Sequence, residues 1–202
     1  MSNQYFENNE HLDHNVRTIQ FQWLNFPLTF KTDSGVFSKN QVDYGSKVLL
    51  EAVVEDLSSP LMGPIVELGS GYGPIAISLA KSYPTIEVIG VEINQRAQLL
   101  SQENAELNRV LNCTFIHHDA TTVTLEKSAQ IVVTNPPIRA GKAVIQAFVK
   151  QAHQILQANG TLYVVIQKKQ GAPSMAKYME TLFNNVEKIT QDKGYWILKS
   201  VK

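Results

Sequence analysis

The residues best suited to chemistry form a short segment, Asn135-Pro136-Pro137-Ile138, which follows an apolar run. The side-chain oxygen of Asn135 and the carbonyl oxygen of Pro136 can both accept hydrogen bonds from one planar NH₂ group, and the two prolines stiffen the backbone. Holding both hydrogens in this way turns the nitrogen lone pair out of conjugation and directs it at an electrophile. The alternative is a tight Asn-Pro turn without chemistry. The segment predicts an amine site with Asn135 and Pro136 as its catalytic residues.

A second candidate is the glycine-rich stretch Glu67-Leu68-Gly69-Ser70-Gly71-Tyr72-Gly73. Glycines let the backbone approach a ligand closely and adopt a positive φ. The spacing departs from the Gly-x-Gly-x-x-Gly of a dinucleotide site, because Pro74 occupies the final position. The carboxylate of Glu67 would attract an ammonium or sulfonium group and would repel a pyrophosphate. We expect a nucleotide-like cofactor with a cationic part to contact Glu67, Gly69, Ser70, Gly71 and Gly73.

Two acids follow later apolar runs. The offset of Glu92 from the glycines matches an acid that accepts hydrogen bonds from ribose hydroxyls; the alternative is a carboxylate that caps the helix starting near Gln95. Asp119 can accept a hydrogen bond from an adenine amino group or can cap a turn. We assign both acids, with their neighbours Ile93 and Ala120, to the cofactor site.

The elements that must position these segments follow from the hydrophobic pattern. Strands are expected at 65–68, 87–91, 113–117, 130–134, 161–167, 186–190 and 195–201. Helices are expected at 43–55, 75–80, 95–108, 142–156 and 174–183, with Asn159-Gly160 as a stop signal. Strands alternating with helices predict an α/β fold with a doubly wound, mostly parallel, seven-stranded sheet, and two successive strands at the end predict an antiparallel edge. Ligands bind such sheets at the carboxyl ends of the strands, where the segments above meet.

The start of the chain predicts a short β extension. Residues 17–38 are rich in aromatic and β-branched residues, with turn signals at 25–27 and 33–35. We therefore expect a single domain over 1–202, with an N-terminal β hairpin extension at 1–38 and a catalytic core at 39–202.

Composition limits the classes of function. The first ten residues lack the basic and apolar pattern of a secretory signal, no apolar run is long enough to cross a membrane, and the chain has one cysteine. A cytoplasmic protein is expected. No metal site is expected, because His117 and His118 are adjacent in a strand and their side chains point to opposite faces. Formal net charge is +0, so RNA binding requires a local basic patch.

At this point the sequence resembles a known family. The segment 67–73 resembles the cofactor motif of class I S-adenosylmethionine-dependent methyltransferases, and 135–138 resembles the motif of amino-nitrogen methyltransferases. Upstream, Gly35-Val36-Phe37-Ser38 and Asp43-Tyr44-Gly45-Ser46 resemble the "methyltransferase small" (MTS) family, which includes bacterial 16S rRNA guanine-N2 methyltransferases. The resemblance covers nearly the whole chain from about residue 30.

This resemblance implies a Rossmann-like methyltransferase sheet, S-adenosylmethionine as cofactor, and ribosomal RNA or the small ribosomal subunit as partner. It also implies a cofactor site that extends to Asn135. The chain is too short for the second, degenerate domain of several relatives, so additional RNA-binding surface would come from the N-terminal hairpin, from a homodimer, or not at all. Many relatives have an aromatic residue where this chain has Ile138, so Phe37 or Tyr44 is expected to stack on the base instead. The expected substrate-binding residues are Phe37, Tyr44, Pro137, Ile138, Arg139 and Lys142.

The resulting hypothesis is transfer of a methyl group to guanine N2 in small-subunit ribosomal RNA. Methylation of a protein glutamine amide also uses an Asn-Pro-Pro segment, but Ile138 and Phe37 argue against it. Methylation of adenine N6 is a further alternative. A non-catalytic RNA-binding module with the same fold is disfavoured, because Glu67, Glu92 and Asn135 are all retained.

Overall fold

The computed structural model describes residues 12–57 and 60–202. Nine strands are described: β1 (Arg17–Trp23), β2 (Phe26–Thr32), β3 (Ile65–Leu68), β4 (Val88–Glu92), β5 (Cys113–His117), β6 (Ala129–Thr134), β7 (Leu156–Gln167), β8 (Glu187–Asp192) and β9 (Tyr195–Val201). Five α-helices are described: α1 (Tyr44–Asp56), α2 (Pro74–Ser82), α3 (Gln95–Leu107), α4 (Lys142–Ile155) and α5 (Ala172–Phe183). No helix in these described ranges is long and apolar enough to span a membrane.

Seven strands form one sheet in the order β5-β4-β3-β6-β7-β9-β8. The first five run parallel, whereas β9 is antiparallel to both β7 and β8. The predicted doubly wound, mostly parallel sheet with an antiparallel edge is confirmed. Strand order reverses between β3 and β6, so the crevice beyond their carboxyl ends is where this fold binds ligands. The glycine-rich turn follows β3 and the Asn-Pro-Pro segment follows β6.

Side-chain alternation divides the core into two layers. Ile65, Ile131 and Val133 belong to the cluster that packs against α1, α2 and α3, whereas Val66 and Val132 belong to the cluster that packs against α4 and α5. Successive residues of a strand point to opposite faces, so each strand supplies both layers. This is why β3 and β6 are apolar at nearly every position.

The N-terminal strands β1 and β2 form a separate two-stranded antiparallel sheet. One of the two expected turn positions is wrong: the turn consists of residues 24 and 25, and Pro27 lies inside β2 opposite Gln22. Proline is tolerated at a strand edge because it needs no donor there. The edge of β2 is instead satisfied by α3, since Asn104 accepts from the Lys31 amide (2.7 Å) and Asn108 from the Thr29 amide (3.0 Å).

Two expected boundaries shift around the end of α4. The helix ends at Ile155, and β7 already begins at Leu156. Leu156 pairs with Ala129, and the register then shifts before Thr161 pairs with Ile131. The Asn159-Gly160 signal therefore marks an irregularity inside β7, with Asn159 at a φ of 61°, rather than the end of the helix.

Gly90 is predicted to be intolerant of any side chain. A Cβ at this position would lie 2.4 and 2.6 Å from two ring atoms of Phe115. Gly90→Ala is therefore expected to lose about 1–3 kcal/mol of stability and to lower Tm by roughly 5 °C. Thermal unfolding measures this, and Phe115→Leu in the same background should recover part of the loss. A Gly90→Ala protein as stable as the wild type would contradict this account of the packing.

Candidate active site

A cleft of about 660 Å³ lies at the carboxyl ends of β3, β4 and β6. A volume of this size is typical of a small-molecule site. Predicted residues that line it on the cofactor side are Glu67, Gly69, Ser70, Gly71, Glu92, Ile93, Asp119, Ala120 and Asn135. Predicted residues that line it on the substrate side are Phe37, Pro136, Pro137, Ile138 and Arg139. One cleft thus brings together five segments separated in the sequence: Phe37, 67–71, 92–93, 119–120 and 135–139.

The glycine-rich turn is fastened to the neighbouring strand. The backbone amides of Gly69 and Ser70 both donate to the Val91 carbonyl, at 2.9 and 3.0 Å. Gly69 and Gly71 have φ values of 77° and 56°, which favour glycine. The turn therefore presents a bare, fixed backbone surface to the cleft.

Gly73, which is predicted to contact the cofactor, lies apart from the other residues predicted to do so. It does not line the cleft, and it caps the start of α2 with a φ of 92°. A Cβ at Gly73 would lie 3.0 Å from the Phe115 ring and 3.2 Å from the Ser101 Cβ. Gly73 thus allows close packing between the start of α2 and these neighbours. In the Gly-x-Gly-x-x-Gly pattern of a dinucleotide site, the third glycine has this packing role.

Glu67 is a buried carboxyl group on the floor of the cleft. Its Oε2 accepts a hydrogen bond of 2.8 Å from the Ala76 backbone amide. Burial raises the pKa of Glu67 well above its ordinary value, and the nearby charge of Glu92 raises it further. No lysine, arginine or histidine in the described residues forms an ion pair with it. A cation delivered by a ligand would therefore meet an uncompensated acid.

Glu92 holds the glycine-rich turn and the start of α3 together. Its Oε2 accepts from the Gly71 amide and its Oε1 from the Asn94 amide, both at 2.8 Å. Burial raises the pKa of Glu92, and these backbone hydrogen bonds partly offset the effect. The helix cap proposed as the alternative role belongs to Asn94, which accepts from the Ala97 amide at 3.1 Å. Glu92 also lines the cleft, where a ligand donor can reach its carboxylate.

Asp119 lies at the end of the cleft beyond β5. Its Oδ1 accepts from both the amide (2.8 Å) and the hydroxyl (2.7 Å) of Thr121. The turn-capping role is thus present, and Asp119 also lines the cleft beside Ala120. Binding of an adenine amino group remains a prediction.

Ser70 supplies an independent sign of a polar ligand. Its side chain is buried, lines the cleft and has no hydrogen-bond partner for its Oγ among the described residues. A buried hydroxyl without a partner costs stability, so such groups are usually satisfied by a ligand or water. The hydroxyl of Ser70, the acid of Glu67 and the bare glycine backbone fit a ligand that is both polar and cationic.

The side chain of Asn135 is held by two residues of the first turn of α1. Its Nδ2 donates to Asp43 Oδ2 and to Ser46 Oγ, each at 3.0 Å. Asp43 and Ser46 also line the cleft. Sequence reasoning placed them only in a family-like block and gave them no role, although aspartate before a helical pattern is a signal for a helix cap.

Two predicted substrate residues do not line the cleft. Tyr44 donates from its hydroxyl to Asp192, and Lys193 Nζ lies 4.4 Å from the centre of the Tyr44 ring. Lys142 lines a separate hollow of about 170 Å³ beside Ile138. Tyr195, by contrast, lines the cleft and packs against Tyr44 with ring centres 5.9 Å apart.

Tyr195 was not found by sequence reasoning. It begins the antiparallel edge strand β9, and only the pairing of β9 with β7 brings it to the cleft. Phe37 also lines the cleft and is 40% exposed. Phe37 and Tyr195 are more exposed than Tyr72 and Phe148, the buried aromatic residues that line the same cleft.

Known proteins resemble this chain over most of its length. The model of the methyltransferase small domain matches residues 27–199. The protein YbxB of Bacillus subtilis (strain 168) is 40% identical over 203 residues, which cover all of both chains. Ribosomal RNA large subunit methyltransferase G of Yersinia pestis (strain Pestoides F) is 27% identical over 192 residues, which are 92% of this chain and 47% of that protein.

Solved structures show the same fold. The T. thermophilus 16S rRNA N2 G1207 methyltransferase RsmC, in complex with AdoMet and guanosine, superposes with a TM-score of 0.82 at 30% identity. The match covers 93% of this chain and 50% of RsmC. M. jannaschii TYW2 in complex with AdoMet has a TM-score of 0.62 at 20% identity, which shows the fold alone. The chain spans about half the length of RsmC and of the Yersinia relative.

Proposed function

This chain belongs to the methyltransferase small family of S-adenosylmethionine-dependent methyltransferases, and on that premise we propose that it methylates N2 of a guanine in small-subunit ribosomal RNA. One observation carries the proposal. The Asn135 side chain is held by its NH₂ end, which leaves its oxygen as the acceptor, in the same cleft as Glu67 and Glu92.

The residues on the cofactor side fit the cofactor of the family. When bound, S-adenosylmethionine supplies an electrophilic methyl group on a sulfonium sulfur. Glu67 would hold its ammonium group, because a buried acid without a cationic partner gains an ion pair there. Glu92 would hold the ribose hydroxyls, and Ser70 would find the partner that its buried hydroxyl lacks.

The substrate side is suited to a planar amine. Asn135 Oδ1 and the Pro136 carbonyl would accept the two hydrogens of the amine and fix the direction of its lone pair. No nucleophilic side chain is needed, because the chain's contribution is orientation and electrostatic stabilisation. Tyr195 and Phe37 offer rings for a base, and the exposed guanidinium of Arg139 lies at the same cleft for a phosphate.

Guanine in ribosomal RNA is proposed as the target because of the relatives. RsmC acts at N2 of a guanine in 16S rRNA and was solved with guanosine, and the Yersinia relative acts on large-subunit ribosomal RNA. Since the chain has a formal net charge of +0, RNA contact would come from a local surface around the cleft.

A methyl-transfer assay with labelled S-adenosylmethionine tests the proposal. The substrates are 16S and 23S rRNA and both ribosomal subunits, prepared from a strain that lacks this gene, and nucleosides are identified by mass spectrometry. N2-methylguanosine in 16S rRNA is expected with the wild type and not with Asn135→Ala. Label in protein, in N6-methyladenosine or only in 23S rRNA would overturn the proposed substrate and leave the family assignment standing.

A further inference from the structure

We infer that Asp43 is a positioning residue that fixes the orientation of the Asn135 side chain, so that its oxygen rather than its NH₂ group faces the substrate amine. This inference rests on the proposed amine-binding role of Asn135. It concerns a contact between residues 92 positions apart, Asn135 Nδ2 to Asp43 Oδ2 at 3.0 Å.

The orientation matters because the two ends of an asparagine amide have nearly the same size and opposite chemistry. The oxygen accepts hydrogen bonds, whereas the NH₂ group only donates them. An amine that must be held by its hydrogens requires the oxygen. With the NH₂ group in that place, two donors would face each other and the grip would be lost.

Asp43 distinguishes the two orientations, because an ionised carboxylate can only accept. In the observed orientation the Asn135 NH₂ group donates one hydrogen to Asp43 and one to Ser46 Oγ, both at 3.0 Å. Rotating the amide by half a turn would set its oxygen against the carboxylate oxygen and would remove a charge-assisted hydrogen bond. The hydroxyl of Ser46 can donate or accept, so it tolerates either orientation. The selection therefore comes from Asp43.

The carboxylate of Asp43 is itself held in place. Asp43 is the N-cap of α1, and the same Oδ2 accepts from the Ser46 amide at 3.1 Å. The first turn of α1 also packs closely on β9: a Cβ at Gly45 would lie 2.7 Å from Tyr195 Cε1 and 2.9 Å from Asp43 Oδ2. Because Gly45 has no side chain, Asp43 at the N-cap of α1 can lie close to the Tyr195 ring and to Asn135, which follows β6.

A purely structural role as helix cap is the alternative explanation, and the variants are chosen to separate the two. Asparagine and serine cap helices about as well as aspartate, so Asp43→Asn and Asp43→Ser should preserve α1. Neither side chain is restricted to accepting, so neither should fix the amide of Asn135. Glu51→Gln is the matched control, since it makes the same carboxylate-to-amide change at an exposed position of α1 that does not line the cleft.

Kinetics provide the first test, with unmodified ribosomal RNA as substrate. Asp43→Asn is expected to lower kcat by about 10- to 100-fold, the range expected for loss of a charged hydrogen bond, with KM, Tm and cofactor affinity near the wild-type values. Glu51→Gln should leave kcat at the wild-type value, whereas Ser46→Ala, which removes only the non-selecting bond, should lower kcat less than Asp43→Asn does. Asp43→Asn should have no further effect in an Asn135→Ala background, because residues that act as a unit are not additive.

Nuclear magnetic resonance provides a second test on the ligand-free protein. The side-chain amide signals of Asn135, identified by their loss in Asn135→Ala, should show protected hydrogens in the wild type and faster exchange in Asp43→Asn. Full kcat in Asp43→Asn, or an equal loss of kcat with and without Asn135, would overturn the inference. If Asn135→Ala retains full activity, the proposed amine grip is wrong. The inference about Asp43 is then tested by the amide signals alone, and unchanged signals in Asp43→Asn would overturn it.

Discussion

Asn135→Ala is expected to slow methyl transfer by about 100- to 1,000-fold, the cost typically measured when one preorganised hydrogen-bonding group of an active site is removed. The amine would keep the Pro136 carbonyl as an acceptor but would lose the second one, so its lone pair would no longer be directed. The side chain is half-buried at the end of β6, and its removal opens onto the cleft rather than the core. Stability and cofactor affinity should therefore change little.

Single-turnover assays with the cofactor at saturation measure this effect directly, and calorimetry measures the binding. Asn40→Ala is a suitable control, since Asn40 is an exposed asparagine in the segment that precedes α1. It should transfer methyl groups at the wild-type rate. Turnover by Asn135→Ala at more than about a tenth of the wild-type rate would be too fast for the proposed amine grip.

Glu67→Gln is expected to weaken cofactor binding by about 10- to 100-fold, the range for loss of one charged hydrogen bond. Glutamine has nearly the same shape, and its oxygen can accept from the Ala76 amide as Glu67 Oε2 does at 2.8 Å. Its NH₂ group would then face a cationic ligand and could not pair with it. Glu126→Gln, at an exposed position, should bind as the wild type does. Unchanged affinity in Glu67→Gln would remove Glu67 from the cofactor site.

The pH dependence of binding gives a second readout of the same group. Burial, then the charge of Glu92, raises the pKa of Glu67 well above its ordinary value of 4.5, so the free protein keeps this carboxyl protonated into a higher pH range. A cationic ligand favours the ionised form, and binding must release the proton. Cofactor affinity should therefore rise as pH rises from the ordinary pKa through the raised one, and this rise should be weaker in Glu67→Gln.

The same shift in pKa has the opposite effect on the stability of the free protein. In the unfolded chain Glu67 ionises near its ordinary pKa, whereas the folded protein retains the proton to higher pH. The folded state then binds more protons, so the free energy of unfolding falls as pH rises from the ordinary pKa through the raised one. Ligand-free Glu67→Gln should accordingly gain Tm relative to the wild type as pH rises through this range. A lower Tm would contradict this explanation.

Much of this protein follows from local features of its sequence. The alternation of apolar runs and amphipathic segments predicts the seven-stranded sheet, because burial of a strand or a helix face leaves a pattern that needs only neighbouring residues. Parallel strands bring their carboxyl ends to one edge of the sheet, so the sequence alone predicts that the glycine-rich turn and the Asn-Pro-Pro segment belong to one site. The chemistry of an amine site was similarly contained in two consecutive residues, Asn135 and Pro136.

Other properties were decided only by the tertiary structure. The roles of Gly73 and Tyr44 depend on what packs beside them: Phe115 approaches the first, and Asp192 with Lys193 holds the second away from the cleft. Tyr195 reaches the cleft only through the pairing of β9 with β7. The orientation of Asn135 depends on Asp43, 92 positions earlier in the chain. A side chain's direction and its hydrogen-bond partners are set by elements that pack from distant parts of the chain, and local sequence patterns carry no information about which of those elements will meet.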